Sequence, residues 1–133
     1  MRDYVIFTDS ACDIKPELLA EWGVPYRSLT FRFDGEEKEY SNDDMSVREF
    51  YDKMRAGGVA KTAAVTPDAF AKMFEEEALK RGKDVLYIAF SSGLSTTYSQ
   101  SVIAAREMAE EYPDRTPLMG YYDEENPEVC DWE

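Results

Sequence analysis

The apolar positions of this chain fall into short unbroken runs and stretches with helical spacing, and the two kinds alternate. Tyr4 to Phe7 is a brief apolar run that ends in Thr8, Asp9 and Ser10, as a buried strand entering a polar loop does. Pro16 suits the first turn of a helix, Leu18, Leu19 and Trp22 give that helix an apolar side, and Gly23 stops it. From Tyr26 onward Leu29, Phe31 and Phe33 alternate with polar residues. Asp34-Gly35 then supplies the positive-φ pair of a tight hairpin and Tyr40 closes the return limb, which predicts an antiparallel ribbon. Ser46 and Glu49 have capping-box spacing ahead of Phe50, Tyr51 and Met54, and Gly57-Gly58 ends that helix. An extended polar link from Lys61 to Val65 leads to Thr66-Pro67, a second helix start, followed by Phe70, Met73 and Phe74 at helical spacing and Gly82 as a stop.

Val85 to Phe90 is apolar without a break, which predicts a central strand covered on both faces of a parallel sheet. Tyr98, Val102, Ala105, Ala109 and Tyr112 keep a helical period until Pro113, and Leu118 to Tyr122 suits one more short strand. Strand and helix in alternation predict an α/β domain: a mainly parallel sheet flanked by helices, with a β-hairpin excursion.

Composition narrows the function classes. At 133 residues, with 44% hydrophobic and 32% charged side chains, the chain has the size and balance of one globular domain. Its formal net charge of −13 disfavours nucleic acid and anionic membrane surfaces as partners. The absence of histidine excludes a histidine-based hydrolytic triad and histidine metal sites. Cys12 and Cys130 lie near opposite ends and have no metal-ligand or redox spacing, so a reduced, cytoplasmic setting without a disulfide is expected. The apolar run near the N-terminus is too short for a signal peptide or a membrane span. Asp123 to Glu133 is mostly acidic and has no period.

Two polar turns follow predicted strands, where open α/β sheets bind ligands. The turn from Ser91 to Thr97 places five hydroxyls and Gly93 before a helix, whose free N–H groups favour an anion such as a carboxylate or phosphate. The plainer alternative is that Ser95 caps the helix while Ser91 and Ser92 satisfy the loop backbone. No lysine follows the glycine, so a nucleotide-binding loop has little support. The turn from Thr8 to Asp13 offers Asp9 and Asp13 as a metal-assisted phosphotransferase pair, against the simpler reading that Asp13 caps the following helix and Asp9 bonds the turn. Thr62, with Lys61 beside it, gains a role only if the polar link passes next to the Ser91 turn.

The order and content of these segments resemble the DegV family of bacterial fatty-acid-binding proteins. The matching pieces are TDSACDI at 8–14, the Asp-Gly hairpin, REFYDKM with its trailing glycines, TAAVTPDAF at 62–70 and YIAFSSGLSTTYSQSVIAAREM at 87–108. The resemblance implies a carrier that does no chemistry and needs no cofactor. Such a carrier binds a long-chain fatty acid and presents its carboxylate to a separate fatty-acid kinase for phospholipid synthesis. It implies carboxylate contacts at Thr62, Ser91, Ser92 and Ser95, with Asp9, Ser10 and Gly93 in support. Ala63 stands where family members carry serine, and Thr96 where they carry a second glycine. Residues 1–115 correspond to the first DegV domain and 116–133 to a divergent acidic segment. In the family the acyl chain lies between the first domain and a second one. That second domain has no counterpart in this sequence, so the resemblance also leaves room for an assembly fragment that self-associates through exposed inter-domain surface.

Overall fold

The structure, a computed structural model, describes residues 3–121. Its main sheet has four parallel strands in the order β2-β1-β6-β7. They are β1 (Tyr4–Asp9), β2 (Tyr26–Arg27), β6 (Asp84–Ala89) and β7 (Pro117–Tyr121). A smaller antiparallel sheet, in the order β4-β3-β5, is made of β3 (Thr30–Phe33), β4 (Tyr40–Ser41) and β5 (Ala60–Ala63). Four helices connect the strands: α1 (Pro16–Trp22), α2 (Val47–Arg55), α3 (Pro67–Glu77) and α4 (Thr97–Glu111). The predicted fold class and the four helices are present.

The core lies on one face of the main sheet. Phe7 of β1 and Val85, Tyr87 and Ala89 of β6 point the same way, and α3 and α4 cover them with Phe70, Phe74 and Met108 among others. Phe74 packs edge-on to Phe7 with ring centroids 5.2 Å apart, and Phe70 meets Tyr87 edge-on at 5.0 Å. The helix α3 starts where the sequence indicates: Thr66 accepts the Ala69 N–H through its hydroxyl and Pro67 follows as the first helical residue. After α3 a single 3-10 turn, Leu79–Arg81, intervenes before Gly82 ends the segment.

The other face of β6 is open. Ile88 is 42% exposed and Ile6, beside it on β1, is 37% exposed, so the prediction of a strand covered on both faces does not hold. An unbroken apolar run signals two unsolvated faces, but here the second face has no cover among the described residues and forms the floor of a cleft.

The small sheet also departs from the ribbon. Tyr26 and Arg27 join the main sheet as β2, pairing with Thr8 and Asp9. Phe31 pairs with Tyr40, so residues 34–39 form a loop wider than a two-residue turn. Only Gly35, at φ +85°, takes the left-handed region there; Asp34 does not. The polar link at 61–65 begins as part of β5, which pairs along the whole of β3. Ala, Lys and Thr give such an edge strand no apolar signal, because its side chains are almost all exposed.

Phe31 and Phe33 form a second aromatic cluster with Tyr40 and Phe50 of α2. Lys53 lies 4.5 Å above the Phe33 ring and pairs with Glu36, which also accepts a hydrogen bond from the Tyr40 hydroxyl. The capping box of α2 is present, with Ser46 and Glu49 each accepting from the other's backbone. Gly58 is required by space: a Cβ there would sit 2.9 Å from the Lys53 carbonyl oxygen and 3.1 Å from the Phe33 ring.

Phe74 is fully buried and touches rings from β1, β6 and its own helix. Phe74→Ala is expected to lower the unfolding free energy by about 3–5 kcal/mol, read from urea denaturation. A loss below about 1 kcal/mol would mean that this cluster does not anchor α3 to the sheet.

Candidate functional site

The strand order creates a crevice between β1 and β6. From β1 the chain passes through α1 to β2 on one side, and from β6 through α4 to β7 on the other. Neighbouring parallel strands whose connections diverge leave their carboxyl ends uncovered, and ligands bind there in open α/β sheets. Both polar turns singled out in the sequence fall at this point.

A cleft of about 1010 Å³ opens beside it, on the face that α3 and α4 leave uncovered. Ile6 and Ile88 form its floor, Leu19 and Trp22 of α1 a wall, and Ser91, Ser92 and Gly93 line its polar end. The volume is at the upper end of the range for small-molecule sites, and the combination of apolar walls with a few polar groups is typical of them.

The turn after β6 divides its hydroxyls between scaffold and rim. Ser91 accepts the Gly93 N–H at 3.3 Å through its hydroxyl, and its carbonyl accepts the N–H groups of Leu94 (3.1 Å) and Ser95 (3.3 Å). Ser95 accepts the Thr97 N–H at 3.1 Å and donates to the Thr97 hydroxyl at 2.9 Å. The N-cap position of α4 is Thr96, which makes no side-chain capping bond, so Ser95 is not the helix cap; from one residue earlier it holds the Thr97 N–H, and it does not line the cleft. Ser92 is exposed on the rim, and its hydroxyl has no partner among the described residues. A Cβ on Gly93 would meet only the Ser91 hydroxyl, at 3.7 Å, so glycine there keeps the rim low rather than relieving a clash. Leu94, 72% exposed, overhangs the same end.

The turn after β1 is built differently. Asp9 is completely buried and shares the face of Phe7, toward α3 and α4. It accepts the Ala11 N–H at 2.9 Å, the Phe90 N–H at 3.3 Å and the Tyr87 hydroxyl. Asp13 lines the cleft instead, in a left-handed conformation with φ 56°. The two carboxylates thus lie on different sides of the strand end. No group of three or more potential metal-ligating side chains occurs among the described residues, and nothing supports the metal-assisted pair. Asp13 is not the helix cap either: that position belongs to Lys15, whose side chain makes no capping bond. Ser10 accepts the Leu29 N–H at 2.9 Å and ties the turn to the start of the small sheet.

Thr62 sits on β5, exposed and paired opposite Phe31, and is not among the residues lining the cleft. Lys61 pairs with Asp34 at 2.9 Å. Cys12 is half-buried, unbonded to sulfur and lines the cleft; Cys130 lies outside the described residues. The apolar lining, above all Ile6, Trp22 and Ile88, has the sequence signal of ordinary core. Nothing in its spacing distinguishes a wall that meets a ligand from one that meets another helix.

The family described as "Uncharacterised protein, DegV family" matches residues 3–116. The chain belongs to the DegV family. A DegV domain-containing protein of Clostridium perfringens is 38% identical over 115 residues, covering 86% of this chain and 39% of the relative. Among solved structures, a stearic-acid-binding protein from Eubacterium ventriosum superposes with a TM-score of 0.77 at 28% identity, covering 86% of this chain and 39% of that one. A DegV protein from Thermus thermophilus, described by its fatty-acid binding, gives 0.73 at 27% identity, covering 92% and 41%. This DegV-family chain thus spans about two fifths of the length of the relatives it matches.

Burial and the adjacent Asp9 carboxylate push the Tyr87 phenol far above its ordinary value, so it stays protonated in the folded protein. In the unfolded chain it ionises near pH 10. A group whose folded pKa is raised stabilises the fold fully below the unfolded pKa and progressively less above it. The urea midpoint of the native protein is therefore expected to fall between pH 9 and pH 11, and Tyr87→Phe to show a shallower fall. Equal slopes for the two proteins would contradict a buried, protonated phenol.

Proposed function

We propose that this domain binds a long-chain fatty acid, with the acyl tail along the apolar cleft and the carboxylate at the rim formed by Ser91, Ser92 and Gly93. The observation that carries this reading is the cleft's polarity. Its floor and α1 wall are aliphatic and aromatic, and one end presents an unpartnered hydroxyl, that of Ser92, beside the start of α4. The stearic acid named for the Eubacterium ventriosum relative fits the same chemistry.

Magnitudes assign the two ends different tasks. A saturated tail of about 16 carbons gains on the order of 12 kcal/mol gross on full burial, before the costs of association. Each hydrogen bond to the carboxylate contributes about 1.5–3 kcal/mol. Affinity comes from the tail and orientation from the rim. The family resemblance implies further carboxylate contacts at Thr62 and Ser95, although neither lines the cleft. In this reading Ser95 acts by holding the Thr97 N–H and so the shape of the turn, and Thr62 approaches the head group from the edge strand β5 only when the ligand is bound. The open face supplies half of the acyl site, and a second α/β unit of the family type supplies the other half. The loaded carrier acts in the cytoplasm, without a cofactor and without chemistry of its own, and presents the carboxylate to a separate fatty-acid kinase. Among the described residues no helix is long and apolar enough to cross a membrane.

A second reading rests on the same exposed Ile6, Ile88 and Leu94: the face pairs with another copy of the chain and binds no lipid.

The test uses the full chain. Lipid extraction with mass spectrometry is expected to recover a long-chain fatty acid, and stearate to raise the melting temperature. Ser92→Ala is expected to weaken stearate binding about tenfold, and Thr62→Ala to weaken it by a smaller factor. A lipid-free protein whose melting temperature ignores stearate, and which sediments as a dimer, would favour the second reading.

A further inference from the structure

The backbone pairing of β1 with β6 runs from Tyr4 opposite Asp84 to Phe7 opposite Tyr87 and stops there. Beyond it the two strands continue for two residues each, to Asp9 and Ala89, and lead into the two polar turns. Side chains take over where the ladder ends. On the cleft face the Thr8 hydroxyl donates to the Ile88 carbonyl at 3.0 Å. On the opposite face the Asp9 carboxylate bridges both turns: one oxygen accepts the Ala11 N–H, and the other accepts the Tyr87 hydroxyl and the N–H of Phe90, the residue before Ser91.

Asp9 is fully buried, yet it does not line the cleft. A carboxylate is costly to bury and persists only where donors surround it. Its donors here are two turn amides and a phenol whose ring is locked in the core by Phe70 and Phe74. We infer that Asp9 is a positioning residue for the head-group site: anchored by Tyr87, it fixes the Phe90 amide and so the direction in which the Ser91–Gly93 rim faces the ligand. The functional half of this inference rests on the proposed fatty-acid reading, whereas the bridge itself is measurable without ligand.

Asparagine shows why a carboxylate is needed. It presents one accepting oxygen and one donating NH₂, so on either flip a donor faces a donor, at Ala11 or at the Tyr87–Phe90 pair. Tyr87→Phe is milder, since it keeps the ring and removes only the hydroxyl that anchors the carboxylate.

Two readouts test the inference on the full chain. In the ligand-free protein, Asp9→Asn is expected to speed hydrogen exchange at the Phe90 or Ala11 amide at least tenfold, while amides at the centres of α3 and α4 keep their protection. In binding, the preference for stearate over 1-octadecanol is expected to fall about tenfold in Asp9→Asn and several-fold in Tyr87→Phe, because the tail cleft is untouched. Unchanged exchange at both amides would overturn the bridge. An equal loss of both ligands would reduce Asp9 to a general stabilising residue and overturn the positioning role. If Asp9→Asn does not fold, Tyr87→Phe carries both readouts. Should the native protein fail to distinguish stearate from octadecanol, the carboxylate reading falls, and the exchange measurement still decides the bridge.

Discussion

Tyr87 joins the two halves of the molecule's logic. Its ring is locked between Phe70 and Phe74 in the core under α3, and its hydroxyl reaches Asp9 at the end of the neighbouring strand. A tyrosine can do this because it is apolar along its length and polar at its tip. The core therefore reaches the candidate rim through one side chain. Packing energy from the buried aromatic cluster holds the ring, and the ring holds the carboxylate that spans the turns. Loosening either end would be felt at Ser91 and Ser92 with no direct contact between them and the core.

The cleft exists because the sheet is covered unequally. On the face of Phe7 and Val85, α3 and α4 exclude water; on the face of Ile6 and Ile88, α1 provides only a side wall. An aliphatic floor of this kind is unfavourable when solvated, and an apolar chain laid along it removes both surfaces from water. The hydroxyl rim does not repeat that contribution. In the proposed reading it selects which end of an amphipathic molecule lies at the carboxyl ends of the strands, since an unpaired polar head anywhere else along the cleft would lose its hydrogen bonds.

The small sheet is a separate packing problem, solved by Phe31, Phe33, Tyr40 and Phe50, with Lys53 closing over the aromatic rings. It ties to the main sheet through Ser10, which accepts the Leu29 N–H, so the turn after β1 serves both sheets. The position of Thr62 on its edge strand follows from the pairing of β5 with β3. Nothing in the residues 60–63 themselves announces a strand, because their side chains are small or solvated and the strand is held by backbone bonds to its neighbour.

Much of the local structure was legible because it depends on near neighbours in the chain. Ser46 with Glu49, Thr66 with Pro67, and the aromatic spacing of Phe70 and Phe74 each specify a helix start or a buried face within one or two turns, and the structure has them. The candidate rim at Ser91 and Ser92 was visible too, since a hydroxyl-rich turn between an apolar strand and a helix can be read from order alone. What the sequence by itself could not determine is where each buried face finds its cover. The run from Val85 to Phe90 specifies a strand averse to water, but only the tertiary arrangement decided that α3 and α4 would take one face and leave Ile88 to a cleft. Asp9 and Asp13, four residues apart and chemically alike, were likewise equivalent on paper. The last residue of β1, Asp9, follows the alternation of its strand into the core as a bridge. Asp13 comes after the 3-10 turn Ser10–Cys12 in a left-handed conformation and lines the cleft, so backbone conformation and not residue type decides which side each carboxylate faces.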